Sequence, residues 1–313
     1  MKTDGGRFNP NEKNIYFIAG NAGAFERVME QTHHMLIAVN EIAGDESRRF
    51  LDHVVEDPRK RLFLDSGVFN LAMTYARKHK VSHNDGLSMA PDEIEGFQDL
   101  FEKYVKIVQT YKEHLWGYIE IDQGGRDNKI KTRARLEALG LKPIPVYHPF
   151  HDGWDYFDHL AQNYDRICFG NVVKATMPER RRLAATAWER HRKYPHLWIH
   201  FLGLSPNQWL NAFPMNSGDS SSWLTPIRWP IFYAYTDGAQ IAKMSRGYYY
   251  QRRTDVDSPR GQDKELKLLA YQARMRMLVW RGHLQKIQGL GAPLYPAHSS
   301  KEAFVTTYQE HIS

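Results

Sequence analysis

The sequence predicts a mixed α/β fold in which eight short parallel strands alternate with helices. Three observations predict it: short apolar runs recur along the chain, longer amphipathic stretches separate them, and glycines or carboxylates follow the runs. Uninterrupted apolar runs are typical of parallel strands that are buried on both faces. Eight such strands favour a (β/α)₈ TIM barrel over a doubly wound sheet, because no GxGxxG motif opens the first unit.

The chain order of these elements is regular. Strands are predicted at 15–19, 35–39, 62–64, 117–121, 143–147, 167–169, 197–202 and 216–222. Helices are predicted at 25–31, 91–110, 131–139, 154–163, 178–194 and 205–211, because their apolar residues recur at helical spacing. We therefore expect a catalytic barrel domain over 1–228. A helical, basic appendage with a long helix at 264–287 is expected to pack on it over 229–313.

Composition excludes several classes of protein. A chain of 313 residues is an ordinary length for a single barrel domain. Its one cysteine, Cys168, excludes an internal disulfide and a cysteine-rich zinc site. No run of eighteen apolar residues predicts a membrane span, and the polar start of the chain does not resemble a signal peptide. We expect a cytoplasmic protein, in the host cytoplasm if it is viral.

Positive charge is concentrated in the appendage. The chain has a formal net charge of +6, and the segment 240–281 alone contains ten Lys or Arg and four acidic residues. Arg246, Arg252 and Arg253 flank a run of tyrosines that includes Tyr249. Arginines beside aromatic rings suit phosphate contacts and base stacking, so these residues are predicted to bind nucleic acid. A solvated basic helix face is the alternative interpretation.

Polar residues follow the predicted strands, where the active site of a barrel lies. The segments are Asp65-Ser66-Gly67, Asp122-Gln123-Gly124-Gly125, His148-Pro149, Gly170-Asn171, Gly203 and Ser217-Gly218-Asp219-Ser220. A carboxylate can attack an anomeric carbon, a second can move a proton, and a third can accept hydrogen bonds from a base. Each residue also has a structural interpretation: Asp65 and Asp122 as turn formers, Asp219 as a helix cap, Phe69 as core and His148 as a structural histidine.

Taken in order, these segments resemble the motifs of the tRNA-guanine transglycosylase superfamily, over about residues 62–228. The family's DSGG plus aromatic resembles Asp65-Ser66-Gly67-Val68-Phe69, and its VQGG strand resembles Val146-Tyr147-His148-Pro149. Its HxxGxGxP stretch resembles His200-Phe201-Leu202-Gly203-Leu204-Ser205-Pro206, and its nucleophile segment resembles Gly218-Asp219-Ser220-Ser221-Ser222-Trp223.

The resemblance implies a (β/α)₈ barrel that exchanges guanine for a 7-deazaguanine without a cofactor. By the motif match, Asp219 is the nucleophile and Asp65 serves acid–base chemistry. The base site implied by the match consists of Ser66, Gly67, Phe69, Asp122, His148, Gly170, Asn171 and Gly203.

The chain also departs from the family. Val68 and Asn171 stand where relatives have glycines of the base pocket, and Gly124 replaces a side chain. The cysteine-rich zinc site of the tRNA enzymes is absent from the sequence. A zinc-free member with a basic tail looks most like the phage and bacterial branch that inserts 7-deazaguanines such as 7-cyano-7-deazaguanine into DNA.

Three alternatives stay open at this stage. The first is the same reaction on tRNA, and the second is a non-catalytic nucleic-acid-binding barrel. The third is a glycosylase or metal-dependent hydrolase with His148 and His151, or His191, His196 and His200, as ligands. Neither histidine set has the HExxH spacing, so we predict no metal. The oligomeric state is not predicted.

Overall fold

A computed structural model describes residues 3–6, 14–18, 33–42, 44–173, 175–204, 216–220, 231–236 and 240–245 of the chain. This part is a mixed α/β structure whose main feature is an eight-stranded parallel sheet. The strands are β1 (Asn14–Ile18), β2 (His34–Ala38), β3 (Arg61–Asp65), β4 (Leu115–Tyr118), β5 (Val146–Tyr147), β6 (Arg166–Phe169), β7 (Trp198–Phe201) and β8 (Ser217–Ser220). Each of them overlaps one of the predicted apolar runs.

The strand order is β4-β3-β2-β1-β8-β7-β6-β5, and every pairing between these strands is parallel. Backbone contacts also join the segments beside the two outermost strands. Ile119, next to β4, forms a parallel bridge with Ile144, which precedes β5. The Ile144 N–H donates to the Tyr118 carbonyl over 2.8 Å, and the Glu120 N–H donates to the Ile144 carbonyl over 3.0 Å.

Helices connect the strands. They are α1 (Gly44–Glu56), α2 (Val68–His79), α3 (His83–Ser88), α4 (Phe97–Tyr111), α5 (Gly125–Ala138), α6 (Trp154–Asn163) and α7 (Met177–His191). The bounds of α6 are those predicted, whereas the predicted helix 91–110 is a short 3₁₀ turn at Pro91–Glu93 followed by α4. Helices α1, α2 and α3 were not predicted. The predicted helices at 25–31, 205–211 and 264–287 lie outside the described residues.

Apolar side chains are buried on both faces of the sheet, as continuous apolar strands require. One cluster consists of residues from the strands themselves, including Tyr16, Phe63, Trp116 and Trp198. Trp116 and Trp198 have ring centroids 4.6 Å apart. The other two clusters lie between the strands and the helices, and α4 and α6 both contribute side chains to them.

Residues 3–6 lie against the amino-terminal ends of the strands. Arg166, the first residue of β6, is 1% exposed and donates to the carbonyls of Trp116, Thr3 and Asp4 over 2.7, 3.2 and 2.9 Å. Its Nε also donates to the Thr3 hydroxyl over 2.6 Å. The buried guanidinium therefore ties the start of the chain to β4 and β6.

Two further strands, β9 (Ile231–Thr236) and β10 (Gln240–Ser245), form an antiparallel hairpin within the segment predicted to be a helical appendage. The sequence pattern did not predict these strands. No helix in the described ranges is both long and apolar enough to cross a membrane.

Candidate functional site

Three predicted acids meet at the carboxyl edge of the sheet. Asp65 is the last residue of β3, Asp122 follows β4 in a loop, and Asp219 lies on β8 opposite Tyr16 of β1. The negative charges of Asp219 and Asp122 both raise the pKa of Asp65, so the two carboxylates lie within electrostatic range of Asp65. Parallel pairing explains this convergence, since it brings all carboxyl ends to one edge.

Asp65 has the most unusual electrostatics of the three. Loss of water contact raises its pKa first, the charge of Asp219 adds to this effect, and the result is a pKa of about 7. The backbone N–H groups of Gly67 and Ser66 donate to the carboxylate and limit the shift. A carboxyl group with a pKa near 7 exchanges protons readily at neutral pH, which suits a general acid and base.

Asp219 is buried, with 3% exposure, and its Oδ1 atom accepts two hydrogen bonds. The Nε2 atom of His200 and the backbone nitrogen of Gly203 both lie 2.9 Å from Oδ1. Gly203 has a φ of 67°, and a Cβ atom there would lie 2.8 Å from Val173. Glycine therefore allows the turn after β7 to aim its N–H group at Asp219.

Asp122 is paired with His148. The Nε2 atom of His148 lies 2.7 Å from Asp122 Oδ2, and Lys129 Nζ lies 3.7 Å from Asp122 Oδ1. Burial alone would raise the pKa of Asp122, but the charges of His148 and Lys129 outweigh burial and hold the pKa at about 2. Asp122 is thus an anion at neutral pH, and its buried Oδ1 atom accepts no hydrogen bond from any described residue.

Gly170 makes room for this pair. A Cβ atom at Gly170 would lie 2.8 Å from the His148 ring and 2.7 Å from a methyl group of Val146. Any larger residue would displace the imidazole, so Gly170 fixes the position of His148. Asn171, the next residue, is exposed and has a left-handed φ of 58°, which asparagine tolerates better than most residues.

Lys129 is a site residue that the sequence analysis missed. It is 0% exposed, and its Nζ donates to Asp152 Oδ2 over 2.8 Å and to the Val146 carbonyl over 3.0 Å. The His148 N–H also donates to Asp152 Oδ2, over 2.8 Å, so Lys129 supports His148 through a shared carboxylate. A signal existed: Lys129, Thr132, Arg133 and Leu136 share one helical face of α5, and two cations on that inward face are unusual.

Helix α2 carries Phe69, the aromatic residue that is predicted to stack on the base. Gly67 adopts a φ of 76° and ends the turn after Asp65, so that the helix begins at Val68. Ser66 is buried, and its hydroxyl accepts from the Val68 N–H over 3.4 Å. Phe69 is 53% exposed in the first turn of α2, where a core residue would be buried. Its ring is therefore accessible to solvent.

Two further apolar side chains are exposed at the same edge of the sheet. Phe150 follows β5 and is 38% exposed, and Val173 follows β6 and is 50% exposed.

The four residues predicted to bind nucleic acid are not among those that the structure describes. They are Arg246, Tyr249, Arg252 and Arg253. Within the described ranges, no group of three or more His, Cys, Asp or Glu side chains is arranged to hold a metal ion. Comparison of the sequence with models of known protein families and with curated proteins gives no match.

Proposed function

We propose that this protein is a base-exchanging glycosyltransferase that replaces guanine in DNA with a 7-deazaguanine through a covalent Asp219–glycosyl intermediate. The observation that carries the proposal is the set of three carboxylates at one edge, each in a different environment. Asp219 is held by two donors, Asp65 has a pKa of about 7, and Asp122 is an anion paired with His148. Carboxylates in such different environments suit different roles in one reaction.

We further propose that the sheet closes into a (β/α)₈ barrel. The Ile119–Ile144 bridge beside the two outermost strands supports closure, and so does the inner aromatic cluster, to which several strands contribute. In a closed barrel, the acids would surround the mouth, and the interior below them would be filled by side chains rather than open as a channel.

In the first step, a carboxylate oxygen of Asp219 forms a bond to C1′ of the target nucleotide. The C1′–N9 bond breaks, and its electron pair leaves with the guanine. Protonated Asp65 donates its proton to the departing base, which prevents the return of the guanine anion. The base must first leave the DNA stack to reach the acids.

In the second step, the incoming 7-deazaguanine loses its N9 proton to ionised Asp65. N9 then forms a bond to C1′, the C1′–Asp219 bond breaks, and its electron pair returns to the carboxylate. Asp65 thus begins and ends the cycle protonated. Because one glycosidic bond replaces another, the reaction needs no cofactor, and the acceleration comes from positioning.

In this proposal, the base stacks on Phe69, and polar groups form hydrogen bonds with its edge. Asp122 and His148 offer an acceptor and a donor to the rim of the ring, while the turn at Gly170 and Asn171 allows close approach. Phe150 and Val173 extend the apolar edge toward neighbouring nucleotides. The positive charge of the appendage, including Arg246, Arg252 and Arg253, would hold the phosphates.

The proposal is tested by measuring release of guanine from DNA and from tRNA. Supercoiled DNA and total tRNA, each carrying radiolabelled guanine, are incubated with the protein and unlabelled 7-cyano-7-deazaguanine, and release of label is measured. We expect release from DNA, none from tRNA, and no inhibition by a chelator. Asp219→Asn should lose release by about 10⁴-fold or more, as removal of a nucleophile does. Asp92→Asn, an exposed acid on the 3₁₀ turn, is the matched control.

The other outcomes separate the alternatives. Release from tRNA alone would keep the reaction and overturn the DNA substrate. Release that does not depend on the added base would indicate hydrolysis by water, and loss of release with a chelator would indicate a metal-dependent hydrolase. Binding of DNA without release would favour a non-catalytic nucleic-acid-binding protein.

A further inference from the structure

His200 has a place in the site that the mechanism above does not use. It lies on β7 with 0% exposure, and both of its ring nitrogens contact residues of β8. Nδ1 lies 2.6 Å from the Ser217 hydroxyl and Nε2 lies 2.9 Å from Asp219 Oδ1. The register of the two strands explains both contacts, because His200 pairs with Ser217, two residues before Asp219.

Aromatic rings fix the His200 imidazole in place. Trp198 stacks on it with centroids 5.5 Å apart and an interplanar angle of 12°. Phe63 and Tyr16 meet it edge-on at 4.8 and 5.9 Å. A ring so enclosed keeps one orientation, so the contact with Asp219 is built into the core rather than made on the surface.

The chemistry of the partners assigns the hydrogens. An ionised carboxylate only accepts, so the Nε2 atom of His200 carries the hydrogen and donates it to Asp219. In a neutral imidazole, Nδ1 is then an acceptor, and the Ser217 hydroxyl donates to it. The Asp219 carboxylate therefore fixes the tautomer of His200, and Ser217, whose hydroxyl can donate or accept, supports that tautomer by donating to Nδ1.

We propose, on the basis of the proposed function, that Ser217 and His200 position Asp219 so that Oδ2 attacks C1′ and Oδ1 receives returning charge. Oδ1 accepts from His200 and from Gly203, whereas Oδ2 accepts no hydrogen bond from a described residue. Oδ2 is thus the oxygen that can form the glycosyl bond. When the second base displaces Asp219, the C1′–Oδ2 electron pair returns to the carboxylate, and the two donors on Oδ1 stabilise that charge.

This assignment makes His200 a positioning residue for the departure of Asp219. Replacing it by Phe keeps the aromatic packing but removes the donor. Gln places its amide nitrogen as many bonds from Cβ as Nε2 is, so it can reach Asp219. Asn is one bond shorter, and its amide corresponds to Nδ1, so it can reach Ser217 only.

The test is a chase of the covalent adduct. The wild type, His200→Phe, His200→Gln, His200→Asn and Ser217→Ala are allowed to form the DNA adduct, and excess 7-cyano-7-deazaguanine is added. The rate of adduct loss is then measured against base concentration. We expect the saturating rate to fall about 10²-fold in His200→Phe and His200→Asn, as for loss of one donor to a developing anion. His200→Gln should stay within about tenfold of wild type, with Ser217→Ala between them.

The concentration of base at half the saturating rate should not change, since His200 does not contact the base. Equal chase rates in wild type and His200→Phe would overturn the positioning role. An equal fall in the saturating chase rate of His200→Phe and His200→Gln would also overturn the positioning role. It would show that the donor supplied by Gln does not restore the rate. Absence of an adduct in the wild type would instead contradict the proposed function. Thermal unfolding of each variant verifies that it is folded.

Discussion

The two ends of the parallel sheet differ in how neighbouring groups compensate their buried charged side chains. At the amino-terminal end, the Arg166 guanidinium is met by three carbonyl oxygens and one hydroxyl. At the carboxyl-terminal end, burial and the charge of Asp219 raise the pKa of Asp65 to about 7. Asp122 Oδ1 is buried and accepts no hydrogen bond from a described residue, although Lys129 Nζ lies 3.7 Å away.

On the proposed function, the amino-terminal end serves stability and the carboxyl-terminal end serves chemistry. A buried cation with satisfied donors holds the chain start against the strands and offers nothing to a ligand. Ionisation of Asp65, whose pKa is raised, destabilises the folded protein, and carboxyl groups of this kind occur at functional sites because they supply protons and charge. The comparison predicts that substitutions of Arg166 and of Asp65 change stability in opposite directions.

The largest effect is expected at the amino-terminal end. Arg166→Met removes the guanidinium and leaves the carbonyls of Thr3, Asp4 and Trp116 without its donors. We expect the free energy of unfolding to fall by roughly 3–5 kcal/mol, measured by urea denaturation. Arg77→Met, at an exposed position on α2, should change it by less than about 0.5 kcal/mol. Equal effects of the two substitutions would contradict the role given to Arg166.

The next largest effect is a gain in the free energy of unfolding, expected for a substitution of Asp65. Because the folded protein holds the Asp65 proton up to a pKa of about 7, ionisation of Asp65 destabilises it increasingly between about pH 4 and pH 7. Asp65→Asn cannot ionise, so we expect it to raise the free energy of unfolding by roughly 2–4 kcal/mol at pH 8. At pH 4 the gain should be close to zero. A gain of equal size at both pH values would indicate a cause other than ionisation.

The same pKa predicts a pH dependence of the first chemical step. In the proposed mechanism, release of guanine requires protonated Asp65, so single-turnover adduct formation should decline about tenfold per pH unit above about pH 7. Asp65→Asn should be much slower and should lose this decline. Quenched-flow measurements between pH 6 and pH 9 would follow it, and a decline that persists in Asp65→Asn would assign it to another group.

The smallest effect is expected for alanine substitutions at two glycines, Gly67 and Gly125. Comparing them separates the cost of a left-handed backbone conformation from the cost of steric crowding. Gly67 and Gly125 have φ values of 76° and 75°, but a Cβ atom at Gly67 would lie 2.3 Å from Asn40 Oδ1, whereas nothing lies within 4 Å at Gly125. Alanine at Gly125 should cost about 1 kcal/mol of stability through its left-handed conformation. Alanine at Gly67 should cost roughly 1 kcal/mol more and weaken base binding. Equal costs, from denaturation curves, would show that Asn40 simply moves away.

Much of the sheet and the three acids could be predicted because they depend on local pattern. An apolar run followed by a carboxylate identifies a strand end, and parallel strands bring such ends together. Helix α6 was predicted with its observed bounds because Phe157, Leu160 and Ala161 mark one buried face after Gly153. Helix α2 was not predicted, because Val68 and Phe69 were interpreted as part of a binding motif or, for Phe69, as core, and not as the start of a helix.

The partners of the acids could not be predicted in the same way. The contact of His200 with Asp219 depends on the register between β7 and β8, which a single sequence does not specify. The contact of Lys129 with Asp152 depends on the rotation of α5 against β5. Pairings of this kind are decided by three-dimensional packing. The sequence therefore predicts the acids themselves but not the residues that contact them.

The central claim, that Asp219 forms a bond to the sugar, is tested most directly by trapping the adduct. Wild type, Asp219→Ala and Asp92→Asn are incubated with guanine-containing DNA or tRNA plus a 7-deazaguanine, then denatured and examined for protein-linked nucleic acid. Peptide mass spectrometry locates the linkage. We predict a DNA adduct on Asp219 in wild type and Asp92→Asn that disappears in Asp219→Ala. An adduct on another residue, or one that persists in Asp219→Ala, would contradict the claim.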